Sequence, residues 1–325
     1  MRLHEDKKLF KQAVQFTAQQ MGILDIYVEK DYWVTLALHT IFHNEIGKEA
    51  VFKGGTALSK CFGIIERFSE DIDLVVLNNE GDSGNQLKNK LKKITKIVAT
   101  KIDEIEVKGI TNKRGMIRKV AYNYPRTFTG VFGQVRNVII VESTWLGRYE
   151  PYHKQKISSY IFEMLKKTNQ LDIAKENNML PFEVQVLDVK RTICEKIMSL
   201  VRFSYGENAI DDLKNKIRHT YDIHQLLTDD AVKDFFNSAD FEKMLLNVGR
   251  DDVLSFKTNN NWLANHPKDA LLFDNTTVVW ENLKNTYNNE FKELVYGKLP
   301  NENDVLNVLL QVKKRLNKVE WTIQL

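Results

Sequence analysis

The sequence predicts an α+β protein, a mixed sheet flanked by helices and followed by a mainly helical C-terminal domain. Three features of the chain point there. Residues 3–21 and 28–46 repeat apolar positions at spacings of three and four, the period of a helix face. Short β-branched and apolar runs follow, the clearest being "DIDLVVL" at 71–77, closed by Asn-Asn-Glu-Gly-Asp-Ser-Gly. From Asp188 onward the pattern is mostly helical, with breaks near 256–269 and 297–301. The chain has 325 residues, and at about 150 residues per domain two domains are expected. The boundary falls between a core at 1–187 and a helical domain at 188–325.

Within the core, "AVFKGG" (50–55) is a short strand entering a glycine turn. "TALSKCFG" (56–63) is a short helix with Thr56 available as its N-cap. A helix is expected over 84–100, strands near 103–109, 116–124 and 136–145, and a last strand at "FEVQVL" (182–187).

Hydrophobic residues make up 43% and charged residues 28%, ordinary for a soluble globular protein. The two cysteines, Cys61 and Cys194, sit among apolar neighbours and are expected as buried thiols; zinc-ligand spacings are absent. The N-terminus lacks the apolar core of a signal peptide, and no run approaches the roughly 20 apolar residues that span a bilayer. A cytoplasmic protein without a membrane partner is expected. Net charge is +4, but 13 Lys/Arg face 3 Asp/Glu between Gln86 and Arg136. Such asymmetry is either a footprint for nucleic acid or a solvated helix with lysine-bearing strand edges. Within it, Arg118, Lys119 and Arg126 interleave with Tyr122, Tyr124 and Phe128. That mixture suits single-stranded RNA or a half-buried strand.

The chemistry concentrates in "FKGGTALSK" (52–60) and "RFSEDIDLVV" (67–76). Residues two apart on a strand share a face, so Asp71 and Asp73 project together while Ile72 and Leu74 face the core. Two adjacent carboxylates repel and resist burial. A divalent cation such as Mg2+, or Mn2+, resolves the conflict, taking carboxylates on one side and phosphate oxygens on the other. Gly54 and Gly55, at a strand-to-helix turn, let backbone N–H groups approach phosphate oxygens. Lys53, Thr56 and Lys60 add donors. Ser69 either reaches a phosphate oxygen or caps the turn.

Together these residues resemble the first motif of the AbiEii/AbiGii toxin family of nucleotidyltransferases, within the DNA polymerase β-like superfamily. "VEKDYWVTLAL" (28–38), "VIIVES" (138–143), "TICEKIMSL" (192–200) and "IRHTYDIHQLL" (217–227) resemble further family segments in the right order. The resemblance implies a polymerase β-like nucleotidyltransferase domain whose helical C-terminal domain completes the cleft. It implies a nucleoside triphosphate substrate with magnesium, and the toxin half of a toxin–antitoxin or phage-defence system with a cognate antitoxin.

The same resemblance suggests roles. Asp71 and Asp73 become metal ligands, with Glu142 as the third carboxylate or else an exposed strand glutamate. Gly54, Gly55, Thr56, Lys60 and Ser69 cradle the triphosphate. Lys196, inside an apolar helical stretch, either reaches the triphosphate or pairs with Glu195 or another neighbour. Asp222, four residues after Arg218, either closes an ion pair or points into the cleft to orient Lys196 or serve as general base. Glu29, Lys30 and Asp31 either brace an active-site cation or form a solvated helix start, and His219 and His224 are structural. The expected activity is metal-dependent nucleotidyl transfer to an acceptor, RNA such as tRNA. Transfer to a protein hydroxyl, or a regulatory module that binds GTP or nucleic acid without turnover, are the alternatives.

Overall fold

The structure, a computed structural model, describes residues 1–130 and 135–325. Backbone contacts divide the chain into two compact units. The first comprises residues 1–63, 67–145 and 152–187; the second comprises 64–66, 146–151 and 188–325.

The first unit opens with α1 (Lys7–Met21), capped by the Asp6 carboxylate on two backbone N–H groups and ended by Gly22 at φ 66°. Helix α2 (Asp25–Phe42) is buried over most of its length. The strands are β1 (Ala50–Lys53), β2 (Ile72–Val76), β3 (Asp103–Ile105), β4 (Ile117–Asn123), β5 (Ile139–Thr144), β6 (Tyr152–Ile157) and β7 (Phe182–Leu187). Among the described residues they form one mixed sheet in the order β3-β4-β5-β2-β1-β7-β6. Parallel pairs join β2 to β5 and β1 to β7; the other neighbours are antiparallel. A short helix α3 (Gly54–Ala57) follows β1, and α4 (Gly84–Val98) starts in a Ser83/Gln86 capping box. Helices α5 (Tyr160–Lys167) and α6 (Leu171–Glu176) lead to β7.

Strand alternation sorts the side chains. Phe52, Ile72, Leu74, Val120, Tyr122, Val141, Val184 and Val186 share one core with α1, α2, α4 and α5. The intervening residues, among them Lys53, Asp73, Lys119 and Glu142, fall on the opposite face.

Four expectations change. The strand near 103–109 stops at Ile105, because residues 107–111 close a turn in which Val107 N–H donates to the Thr111 hydroxyl. Strand β6, "YHKQKI", is an edge strand whose polar alternation hid it. Asp71 lies one residue outside β2. Thr56 is not an N-cap: the helix begins at Gly54, and Thr56 lies inside it.

The second unit is helical. It contains α7 (Val189–Phe203), capped by Asp188 on the Lys190 N–H, then α8 (Ala209–Asn215), α9 (Ile217–Leu226), α10 (Asp230–Asn237), α11 (Ala239–Ser255), α12 (Leu271–Asp274), α13 (Thr276–Thr286) and α14 (Glu302–Leu316). No helix among the described residues is long and apolar enough to cross a membrane.

Candidate active site

The site grows from the sheet register. Lys53 of β1 opposes Asp73 of β2, Asp73 opposes Glu142 of β5, and Glu142 opposes Lys119 of β4. Four charged residues therefore form one row across four adjacent strands, cations at the ends and carboxylates in the middle. Lys119 Nζ lies 2.9 Å from Glu142 Oε2. Asp71, just ahead of β2, has Arg136 Nη1 at 3.4 Å.

Beyond Lys53 the chain turns sharply at Gly54. Its φ is +81°, and a Cβ there would stand 2.3 Å from Asp73 Oδ2. Only glycine satisfies both the left-handed backbone and the close approach of that carboxylate. At Gly55 a Cβ would meet Arg67 Nη2 at 2.7 Å and Ser69 Oγ at 2.9 Å. The bare backbone thus lets a guanidinium and a hydroxyl sit over the turn, an arrangement suited to phosphate oxygens. Thr56 holds the cradle together from inside: it is buried, its hydroxyl donates to the Asp71 carbonyl at 2.6 Å, and it lies 3.0 Å from Ser69 Oγ.

Burial is the main force on the Asp73 carboxyl, with Glu142 and Asp71 adding repulsion. Together they push its pKa up to about 7 against the counter-pull of Lys53 and Lys119. Among the described residues no three His, Cys, Asp or Glu side chains converge as a ready-made metal cage. The donor set nevertheless fits a divalent cation: the hard carboxylates of Asp73 and Glu142 stand in register on one face with Asp71 just ahead of them, and their mutual repulsion calls for positive charge.

Helix α2, on the core side of the sheet, braces the segments around the site through three consecutive buried charges, Glu29, Lys30 and Asp31. Glu29 accepts the backbone N–H groups of Thr127 (2.6 Å) and Phe128 (3.1 Å). Lys30 pairs with Glu70 and donates to the Arg136 carbonyl, while Glu70 accepts the Arg136 N–H at 3.0 Å. Burial raises the pKa of Glu70 and lowers that of Lys30. Asp31 accepts from Lys60 Nζ at 2.5 Å and from the Tyr160 N–H at 2.8 Å. This corrects the assignment of Lys60 to the triphosphate: its ammonium is spent on Asp31, Thr35 and the Ser158 carbonyl. It also settles the helix-start question, since all three charges brace neighbouring segments rather than meet solvent.

In the second unit Lys196 of α7 and Asp222 of α9 form a buried ion pair at 2.6 Å, with His219 Nδ1 3.5 Å from the same ammonium. Asp222 is completely inaccessible. Glu195, the other partner weighed for Lys196, pairs instead with Arg191 at 3.1 Å.

The three basic residues assigned to RNA do not form one patch. Arg118 and Lys119 occupy opposite faces of β4, Lys119 is engaged by Glu142, and Arg126 lies in the segment after the strand. Tyr122 and Tyr124 are buried in the core and offer no stacking platform. Sequence reasoning missed Arg67, Glu70 and Arg136. It saw Lys53 and Lys119 without placing them in one row, which the alternation of β1 and β4 would have allowed.

A glycine turn against an acidic strand pair, with a third carboxylate in register, places the chain among nucleotidyltransferases. It belongs to the AbiEii toxin family of nucleotidyl transferases from type IV toxin–antitoxin systems, which it matches over residues 36–314. The protein is thus a nucleotidyltransferase toxin. A solved structure, MenT4, a nucleotidyltransferase toxin from Mycobacterium tuberculosis H37Rv, is similar at 16% identity and a TM-score of 0.48, covering 92% of this chain and 98% of that one. No curated protein sequence matches the chain.

Proposed function

We propose that the protein transfers a nucleotidyl group from a nucleoside triphosphate to an RNA hydroxyl, with tRNA as the natural acceptor class, in a divalent-metal-dependent reaction. The observation that carries this is the row Lys53–Asp73–Glu142–Lys119, with Asp71 beside it and the glycine turn at one end. Asp71, Asp73 and Glu142 would hold Mg2+, which supplies positive charge for the triphosphate and its leaving group.

The row has a direction. The glycine turn follows β1, so Gly54, Gly55, Arg67 and Ser69 suit the triphosphate at that end. The acceptor then approaches from the β5–β4 side. Its hydroxyl oxygen bonds to the α-phosphorus, the bond from that phosphorus to the bridging oxygen breaks, and pyrophosphate leaves. Glu142, the carboxylate nearest the acceptor side, is assigned to receive the hydroxyl proton on Oε.

The test is incubation with Mg2+, total RNA and each nucleoside triphosphate, labelled at the α- or γ-phosphate. Label from the α-position should enter RNA, with release of pyrophosphate. Transfer of γ-label, or α-label on protein alone, contradicts the proposal.

A further inference from the structure

Of the three basic residues singled out in the sequence, Arg118 alone lines a groove rich in further cations. A groove of about 660 Å³ runs between one face of α4 and the turn joining β3 to β4. Asn85, Lys88, Asn89 and Lys92 line one wall, at the 3- and 4-residue spacing of a single helix face. Lys113, Arg114 and Arg118 line the other. Lys113 is paired with Glu104. Among the described residues Lys88, Lys92, Arg114 and Arg118 have no carboxylate partner. Arg118 donates from Nε to the Thr95 hydroxyl at 2.7 Å, which fixes its guanidinium with the terminal nitrogens unshared.

Stability alone does not favour this arrangement, since like charges one turn apart on a helix repel. Lys88 and Lys92 are separated by roughly 6 Å along the helix axis, a spacing at which two ammonium groups can serve neighbouring phosphates. The apolar lining is confined to Leu91 and Ile117. A protein partner needs a larger apolar centre than that. The groove lies on the α4 face of the sheet: Arg118 points into it, while its neighbour Lys119 ends the charged row on the opposite face, so a strand seated in the groove reaches the row around the β3–β4 edge.

We infer that this groove holds the sugar–phosphate backbone of the acceptor RNA, seated by Lys88, Lys92, Arg114 and Arg118. The inference rests on RNA being the acceptor, and it replaces Lys119 and Arg126 as the anchoring residues. The two asparagines supply amides for 2′-hydroxyl groups, which DNA lacks.

Four phosphate contacts to a single strand correspond to a slope of about −2.8 in log affinity against log salt. That is a loss of about 50-fold for a roughly fourfold rise in salt. Removing two should halve the slope to about −1.4 and the loss to about 7-fold. The experiment titrates a fluorescent single-stranded RNA oligonucleotide into the full chain at several salt concentrations. It compares the parent with Lys88→Gln/Lys92→Gln. The control is Lys93→Gln/Lys96→Gln, which removes equal charge from another face of α4. The groove pair should flatten the slope and cut α-label transfer to RNA, leaving triphosphate affinity unchanged; the control pair should do neither. Equal effects of both pairs, or none of either, would overturn the inference. So would polyglutamate displacing the RNA as well as unlabelled RNA does, or tighter binding of DNA of the same sequence. RNA binding that follows this pattern without any nucleotidyl transfer would leave the groove standing and overturn the proposed reaction instead.

Discussion

Replacing Asp73 with Asn should stabilise the protein and abolish its activity. The carboxyl titrates near 3.8 when exposed and near 7 in the fold, chiefly through burial, then through Glu142 and Asp71. Between those values the native form binds the proton that the unfolded form has released. Stability therefore falls as pH rises through this window, and the cost is complete above the folded value. About three pH units separate the two states, and at about 1.4 kcal/mol apiece the ionised carboxylate costs about 4 kcal/mol at pH 8. Only about 1.7 kcal/mol of that is present at pH 5. Asparagine keeps the shape and carries no charge. Urea unfolding at both pH values should show Asp73→Asn more stable than the parent, with a gain roughly twice as large at pH 8. Added Mg2+ should narrow the gap at pH 8 by stabilising the parent. A variant less stable than the parent at pH 8, or a gain independent of pH, would refute the assignment of Asp73 as a strained, cation-seeking carboxylate.

Other substitutions test the supports of the site. Gly54→Ala should cost about 1–2 kcal/mol from the left-handed backbone alone, and more from the clash with Asp73; calorimetry should show the loss and nucleotidyl transfer should vanish. Lys30→Met should cost about 3–5 kcal/mol by leaving Glu70 buried without its partner, while Lys30→Met/Glu70→Gln should regain part of the melting temperature. Lys196→Ala should destabilise by a similar amount, because Asp222 then stays buried and unpaired. Lys196→Met/Asp222→Asn should restore most of the stability; a double variant as unstable as Lys196→Ala would refute the ion pair as the cause of the loss.

The glycine turn and the acidic strand were legible because each leaves a trace in residue type. Gly54 stands where a side chain has no room, and Asp71 and Asp73 interrupt an otherwise apolar run. The period-2 alternation also turned Ile72 and Leu74 of β2 toward the core, where the structure has them. What stayed hidden was pairing at a distance. Glu29, Lys30 and Asp31 fitted a brace for an active-site cation and a solvated helix start equally well, since their burial depends on Thr127, Glu70 and Lys60, residues remote in sequence. Lys60 followed the glycine motif closely enough to suggest phosphate, but Asp31 claims it. Tyr122 and Tyr124 sit beside basic residues in the chain and face the core in the fold, because neighbouring strand positions point to opposite sides.

The claim that Asp71, Asp73 and Glu142 together hold a metal–triphosphate complex is tested most directly without any acceptor. Mn2+ binding can be followed by electron paramagnetic resonance in the presence of a non-hydrolysable nucleoside triphosphate, for the parent and for Asp71→Asn, Asp73→Asn and Glu142→Gln. The parent should bind Mn2+ in a triphosphate-dependent manner, and each substitution should weaken that binding about tenfold or more, as loss of a charge-assisted contact of about 1.4 kcal/mol or more requires. Metal binding that is unchanged in all three variants, or that does not depend on the triphosphate, would contradict it.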